Sequence, residues 1–185
     1  MRDPEQFDAF YKDARDRLLV QTFALTGDLS SSRRSVRDAF VVAWHHWRKV
    51  ALLDDPETSV RPTAWRLAQR RHTARMWHRE RQLPDDVLVI SEALAKLPTA
   101  QRRTLVLTQL AAVSMPQMAR EVGLTLEQAE RELQLGATQL SLLLDVPASG
   151  LRSVFERLGS AVVERVQWPR APIVRRAGAA RRRSH

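Results

Sequence analysis

Apolar residues recur along most of the chain at intervals of three and four, the spacing that lines one face of a helix, and strand-like alternation is almost absent. The pattern predicts an all-α protein. Pro4 and Glu5 can open a first helix, with Phe7, Phe10, Tyr11, Leu18 and Leu19 on or near one face. "TGDLSSS" at 26–32 reads as a turn in which Ser31 or Ser32 caps the next helix. That helix repeats Val36, Ala39, Phe40, Ala43, Trp44 and Trp47. "LLDDPETSVRP" breaks it, and a third helix is expected over about 63–81.

"QLPDD" reads as a linker, followed by helices at roughly 89–96, 99–110, 115–122 and 125–144. "DVPASG" interrupts again. Residues 151–166 place Leu151, Val154, Phe155, Leu158, Val162 and Val166 on one face, which is expected to pack on the second domain. The predicted division is a helical domain at 1–83, a linker at 84–92, a helix-turn-helix domain at 93–147, and an amphipathic helix with a flexible basic tail at 148–185.

Composition narrows this picture. There is no cysteine among the 185 residues, so no disulfide framework or thiolate metal site exists. No apolar run approaches the ~20 residues of a membrane span, and the acidic opening "MRDPEQFD" is unlike a signal peptide. A cytoplasmic location is the expectation. The net charge of +9 is unevenly distributed. Residues 1–83 hold 16 Lys/Arg against 11 Asp/Glu, 84–147 hold 5 against 8, and 148–185 hold 9 against 2.

The basic excess concentrates in two stretches. "VRPTAWRLAQRRHTARMWHRER" at 60–81 has seven arginines and one glutamate. Arg71, Arg75 and Arg79 are spaced by four, as are Arg66 and Arg70, and rows of like charge repel unless a polyanion meets them. With Trp65 and Trp77 among them, the stretch has the make-up of a single-strand platform, cations for phosphates and aromatics for bases. A solvated face with both tryptophans in the core is the alternative. The basic tail from Trp168, with Arg170, Arg175, Arg176 and Arg181 to Arg183, fits a loose end, non-specific nucleic-acid affinity or attraction to anionic lipid.

In "VSMPQMAREVGLTLEQAEREL", Ser114 and Gln117 make a capping box, Gly123 can take the left-handed turn, and Thr125 caps a second helix. This is a helix-turn-helix pattern.

Taken together, these blocks resemble an RNA polymerase sigma factor of the extracytoplasmic-function (ECF) group, of actinobacterial type, over roughly residues 5–144. "FDAFYKDARDRLLVQTFALTGD" is similar to the opening helix of the family's region 2. "SVRDAFVVAWHHWRKV" sits where the family binds the polymerase clamp, and "VRPTAWRLAQRRHTARMWHR" where it melts and holds the −10 promoter element. "ALAKLPTAQRRTLVLTQLAAVSMPQMAREVGLT" resembles the start of region 4. The resemblance implies a dissociable polymerase subunit that directs transcription initiation, with no catalytic residues and no cofactor. Its partners would be core polymerase, promoter DNA and an anti-sigma or other protein, with no small-molecule substrate.

Carried onto this chain, DNA contacts would fall to Arg61, Arg66, Arg70, Arg71, Arg75, Trp77 and Arg79, and in the second domain to Thr125, Gln128 and Arg131. Polymerase contacts would fall to Asp38, Phe40, Trp44, Arg102 and Arg103.

The chain also departs from the family. Arg33, Arg34 and Arg37 stand before the clamp helix where acids are usual, and Leu135 with Gly136 replaces a basic or small helix former. The reading helix carries Glu127, Glu130 and Glu132 against Arg131. Carboxylates lose phosphate contacts and add repulsion, so −35 recognition is expected to be weak. A protein-interaction module that has lost that contact is the second expectation, with its tail near membrane or nucleic acid. His45 and His46 have no second ligand pair at metal spacing. No nucleophile-base pair or phosphate-cradling glycine loop is visible, so no enzymatic role is expected.

Overall fold

The computed structural model describes residues 3–73 and 83–174. These form nine α-helices and one 3₁₀ turn, and no strand occurs among them. The fold is all-α, as the periodicity predicts.

Helix α1 (Pro4–Thr26) starts on Asp3, whose carboxylate accepts from Glu5 N at 2.9 Å and Gln6 N at 3.1 Å. It ends at Gly27, where φ of +67° suits a residue without Cβ. Asp28 then caps α2 (Leu29–His45) by accepting from Ser31 N at 2.8 Å. The cap was expected at Ser31 or Ser32, but both lie buried inside the helix. The chain kinks at His46, so Trp47 belongs to a short α3 (Trp47–Val50). Phe7, Phe10, Phe40, Trp44 and Trp47 gather between these helices, with Phe7 edge-on to Trp47 at 4.9 Å and Phe10 stacked on it at 5.4 Å.

Helix α4 (Glu57–Thr73) begins earlier than predicted and carries Pro62 within it. It packs chiefly on α2 and α1. Helix α5 (Asp85–Lys96) occupies most of the stretch expected as linker, because Val87, Leu88 and Ile90 face inward immediately after Pro84. Helices α6 (Thr99–Gln109), α7 (Met115–Val122) and α8 (Leu126–Leu144) pack on one another, and α6 and α5 also meet α1.

After the 3₁₀ turn at Ala148–Gly150 comes α9 (Leu151–Arg165), which packs chiefly on α1 and α5. The contact with α5 is on the second helical set, as expected, but α9 also packs on α1 of the first. Phe155, Leu158 and Val162 are buried there, and Arg157 Nε reaches Asp86 of α5 at 2.6 Å. Residues 167–174 form a strap across α1 and α2. Trp168 Nε1 donates to Asp16 Oδ1 at 2.7 Å, and Arg33 Nη1 donates to Gln167 O at 2.8 Å. The Arg15 guanidinium lies 5.3 Å from the Trp168 ring centroid, and Ile173 is buried. The basic tail is therefore docked as far as Val174, where a loose chain was expected. Its arginines at 175, 176 and 181–183 fall outside the described residues. Among the described residues, no helix is long and apolar enough to cross a membrane.

Candidate nucleic-acid interface

Helix α4 presents two of the expected cations to solvent. Arg66 and Arg70, one turn apart, are both exposed. Arg75, Trp77 and Arg79 lie outside the described residues. Two other expected contacts are used internally. Arg61 is 1% exposed, and its Nη1 donates to Glu121 Oε1 of α7 at 2.6 Å while its Nε donates to Gln21 Oε1 of α1 at 3.2 Å. A guanidinium so enclosed has no face left for a phosphate. Arg71 is half-buried, donating to Ser35 Oγ at 3.0 Å and Asp38 Oδ2 at 2.5 Å. Trp65 is buried beneath the Arg103 guanidinium at 5.7 Å, so it packs and does not offer a base platform.

The expected polymerase contacts divide in the same way. Phe40 is fully buried in the aromatic cluster, and Trp44 is partly buried against Phe7 at 5.2 Å. Asp38 remains at the surface but is engaged by Arg71. Arg102 holds α1 to the α5–α6 turn, donating to the carbonyls of Leu25 at 2.7 Å, Ala95 at 3.0 Å and Leu97 at 2.9 Å. Arg103 donates to Glu121 O at 3.3 Å. Burial holds both guanidinium pKa values below their ordinary value, as expected for charges drawn out of water. Both arginines of the pair are thus partly buried and engaged within the fold. Glu121, which the sequence gave no reason to single out, organises this seam: Gln117 Nε2 also donates to it at 3.2 Å.

The helix-turn-helix has its expected backbone. Ser114 Oγ accepts from Gln117 N at 3.3 Å, Gly123 turns at φ +72°, and α8 begins at Leu126. The Ser114 box is only half made, because the Gln117 side chain turns to Glu121. Thr125 and Gln128 close a complete box, Thr125 N to Gln128 Oε1 at 3.1 Å and Gln128 N to Thr125 Oγ1 at 3.2 Å. Arg131, the cation of this helix, donates to Glu127 at 3.1 Å. The three expected DNA contacts of α8 are thus exposed but engaged with their own helix. Beyond them, Leu135 is 50% and Leu142 74% exposed on the same outward face.

No family model, curated protein or solved structure matches the chain.

Among the described residues, no group of three or more His, Asp or Glu side chains is placed to hold a metal ion. Several buried donors in the seam between α1, α4 and α6 have no acceptor: Gln21 Nε2, Trp65 Nε1, Arg102 Nε and Arg103 Nε. Unpaired buried donors cost free energy, which the hydrogen bonds of Arg61 and Arg102 across the seam, with the apolar packing around them, offset.

Proposed function

We propose that the chain is an ECF-sigma-like transcription initiation protein that acts by binding, in the cytoplasm, to RNA polymerase and promoter DNA. The supporting observation is the pair of exposed arginines, Arg66 and Arg70, on the outer side of α4, in a stretch of sequence rich in arginine. Each neutralises a phosphate and releases counterions on binding, and Arg71 stands at the edge of the same surface. Asp38 and the exposed part of Trp44 remain the candidate polymerase contacts. Beneath this helix the buried Arg61 ties α4 to α1 and α7, and Arg103 lies over Trp65.

The test is retention of DNA containing a −10 element by the protein with core polymerase. Arg66→Ala with Arg70→Ala should weaken retention and reduce the magnitude of the salt slope by about 1.4–1.8, two phosphate contacts' worth. Unchanged retention would sink the reading.

A second reading, a sigma-derived protein-interaction module, draws on α8. Its outward face sets Leu135 and Leu142 beside a self-paired Arg131, a composition suited to a protein partner. Reversing Glu130 and Glu132 to Lys should create duplex affinity under this reading. Tight binding of a −35 duplex by the wild type would exclude it.

A further inference from the structure

Between α1, the end of α6 and α9 lies a groove of about 560 Å³, clear of every residue assigned above to DNA or polymerase. Helix α9 borders it with Arg152, Phe155, Glu156, Gly159, Ser160 and Val163, spaced by three and four, so the groove follows that helix for about 16 Å. Buried Val20 and Phe155 make its inner wall, joined by Leu110 from the end of α6. Gly159 stands in the middle of α9, where glycine is a poor helix former. A Cβ there would meet nothing closer than Val20 Cγ1 at 3.6 Å, an ordinary contact, so packing does not demand the glycine. Its missing side chain leaves volume to the groove. Ala112 at the rim is held at φ +51°, a left-handed conformation that strains alanine and that recurs at ligand sites.

We infer that the groove binds a single-chain amphiphile with a carboxylate head, the chain against Val20, Leu110 and Phe155 and the carboxylate on Arg152. The volume suits a small molecule. A protein partner would need a wider apolar centre, and of the exposed large apolar side chains among the described residues only Val163 borders the groove. The chain beyond Val174 has no large apolar residue to fill it. The charges select the head group. Asp16 accepts from Trp168, and Arg17 is held by Asp13 at 2.6 Å and Glu57 at 2.8 Å. Arg152 makes no ion pair among the described residues. It lies in the first turn of α9, where no acid stands and the helix dipole also favours an anion. Glu156, one turn on, leaves it unpaired, in keeping with the weaker order of a helical pair, cation before acid. The guanidinium is therefore open to an external carboxylate, which it can hold through two parallel hydrogen bonds.

The test is isothermal titration of the full chain with dodecanoate below its micelle concentration. One molecule should bind per chain. Gly159→Leu, which fills the groove, should abolish binding, with a melting curve to show that the variant is folded. Arg152→Gln should weaken dodecanoate about fivefold, and Glu156→Gln should strengthen it by removing the opposing charge. Both positions are exposed, so they decide the matter even where Gly159→Leu fails to fold. No binding by the wild type, or many molecules per chain, would overturn the inference. So would binding unaltered in Arg152→Gln or in folded Gly159→Leu. Tighter binding of dodecylamine than of dodecanoate would also overturn it, since the acids rather than Arg152 would then select the head group.

Discussion

A guanidinium with 1% of its surface exposed needs an acceptor close by, and Arg61 finds one on a different helix, in Glu121 at 2.6 Å. Removing one partner of such a pair leaves a buried charge without compensation. Glu121→Ala should therefore destabilise the fold by about 3–5 kcal/mol, measured by denaturant unfolding, whereas a change of the exposed Glu130 should stay within about 0.5 kcal/mol. Nothing local marks Arg61 as the buried arginine of its helix. Its spacing is that of a surface cation, and its burial depends on α7, sixty residues further along. Asp86 shows a milder electrostatic effect. The hydrogen bond from Arg157 holds its carboxyl below the ordinary carboxylate range. A depressed pKa means the contribution is complete above the unfolded value, about 3.9, and lost as pH falls through the lower folded value. Arg157→Ala should move the Asp86 titration up toward the ordinary range, followed by carboxyl NMR shifts.

Helix α8 shows what the periodicity revealed and what it concealed. Its length, its Thr125 cap and the Gly123 turn were all visible in sequence, because each depends on neighbours within a few positions. Gly136 was visible only as an oddity, a poor helix former in mid-helix. A Cβ there would lie 3.0 Å from Gln101 Cβ and 3.1 Å from Gln101 O, so the glycine lets α8 approach α6 closely. Gly136→Ala should cost about 1–3 kcal/mol through overpacking, despite raising intrinsic helix propensity by about 1 kcal/mol. Thermal melting would show the net loss. Gly123→Ala meets no steric neighbour within 4 Å, but φ of +72° strains any residue with a Cβ. A loss of about 1 kcal/mol is expected there, with no change in the packing of α6 against α8. The start of α5 was missed for the opposite reason. Pro84, Asp85 and Asp86 look like a turn, and they serve as the first turn of a helix whose apolar residues follow immediately.

At the scale of the molecule, α1 is the common neighbour, packing on α2, α4, α5, α6 and α9. That role was illegible in sequence, since an amphipathic pattern names a buried face without naming what covers it. The strap is the clearest case. Proline, arginine and small residues give no periodic signal, and its order comes from Trp168 and Ile173 meeting surfaces formed far upstream. Trp168→Ala should cost about 2–3 kcal/mol, less than the 3–5 of a fully buried tryptophan, and should open 167–174 to limited proteolysis. The 152 residues between Asp16 and Trp168 also set a timetable. At about 5–20 residues per second of synthesis, α1 emerges roughly eight to thirty seconds before the residue that covers it. Throughout that interval Asp16 waits on the nascent chain for its indole donor, while Tyr11 can already meet Phe40 of α2, 5.0 Å away between ring centroids, so the strap closes after the helices beneath it.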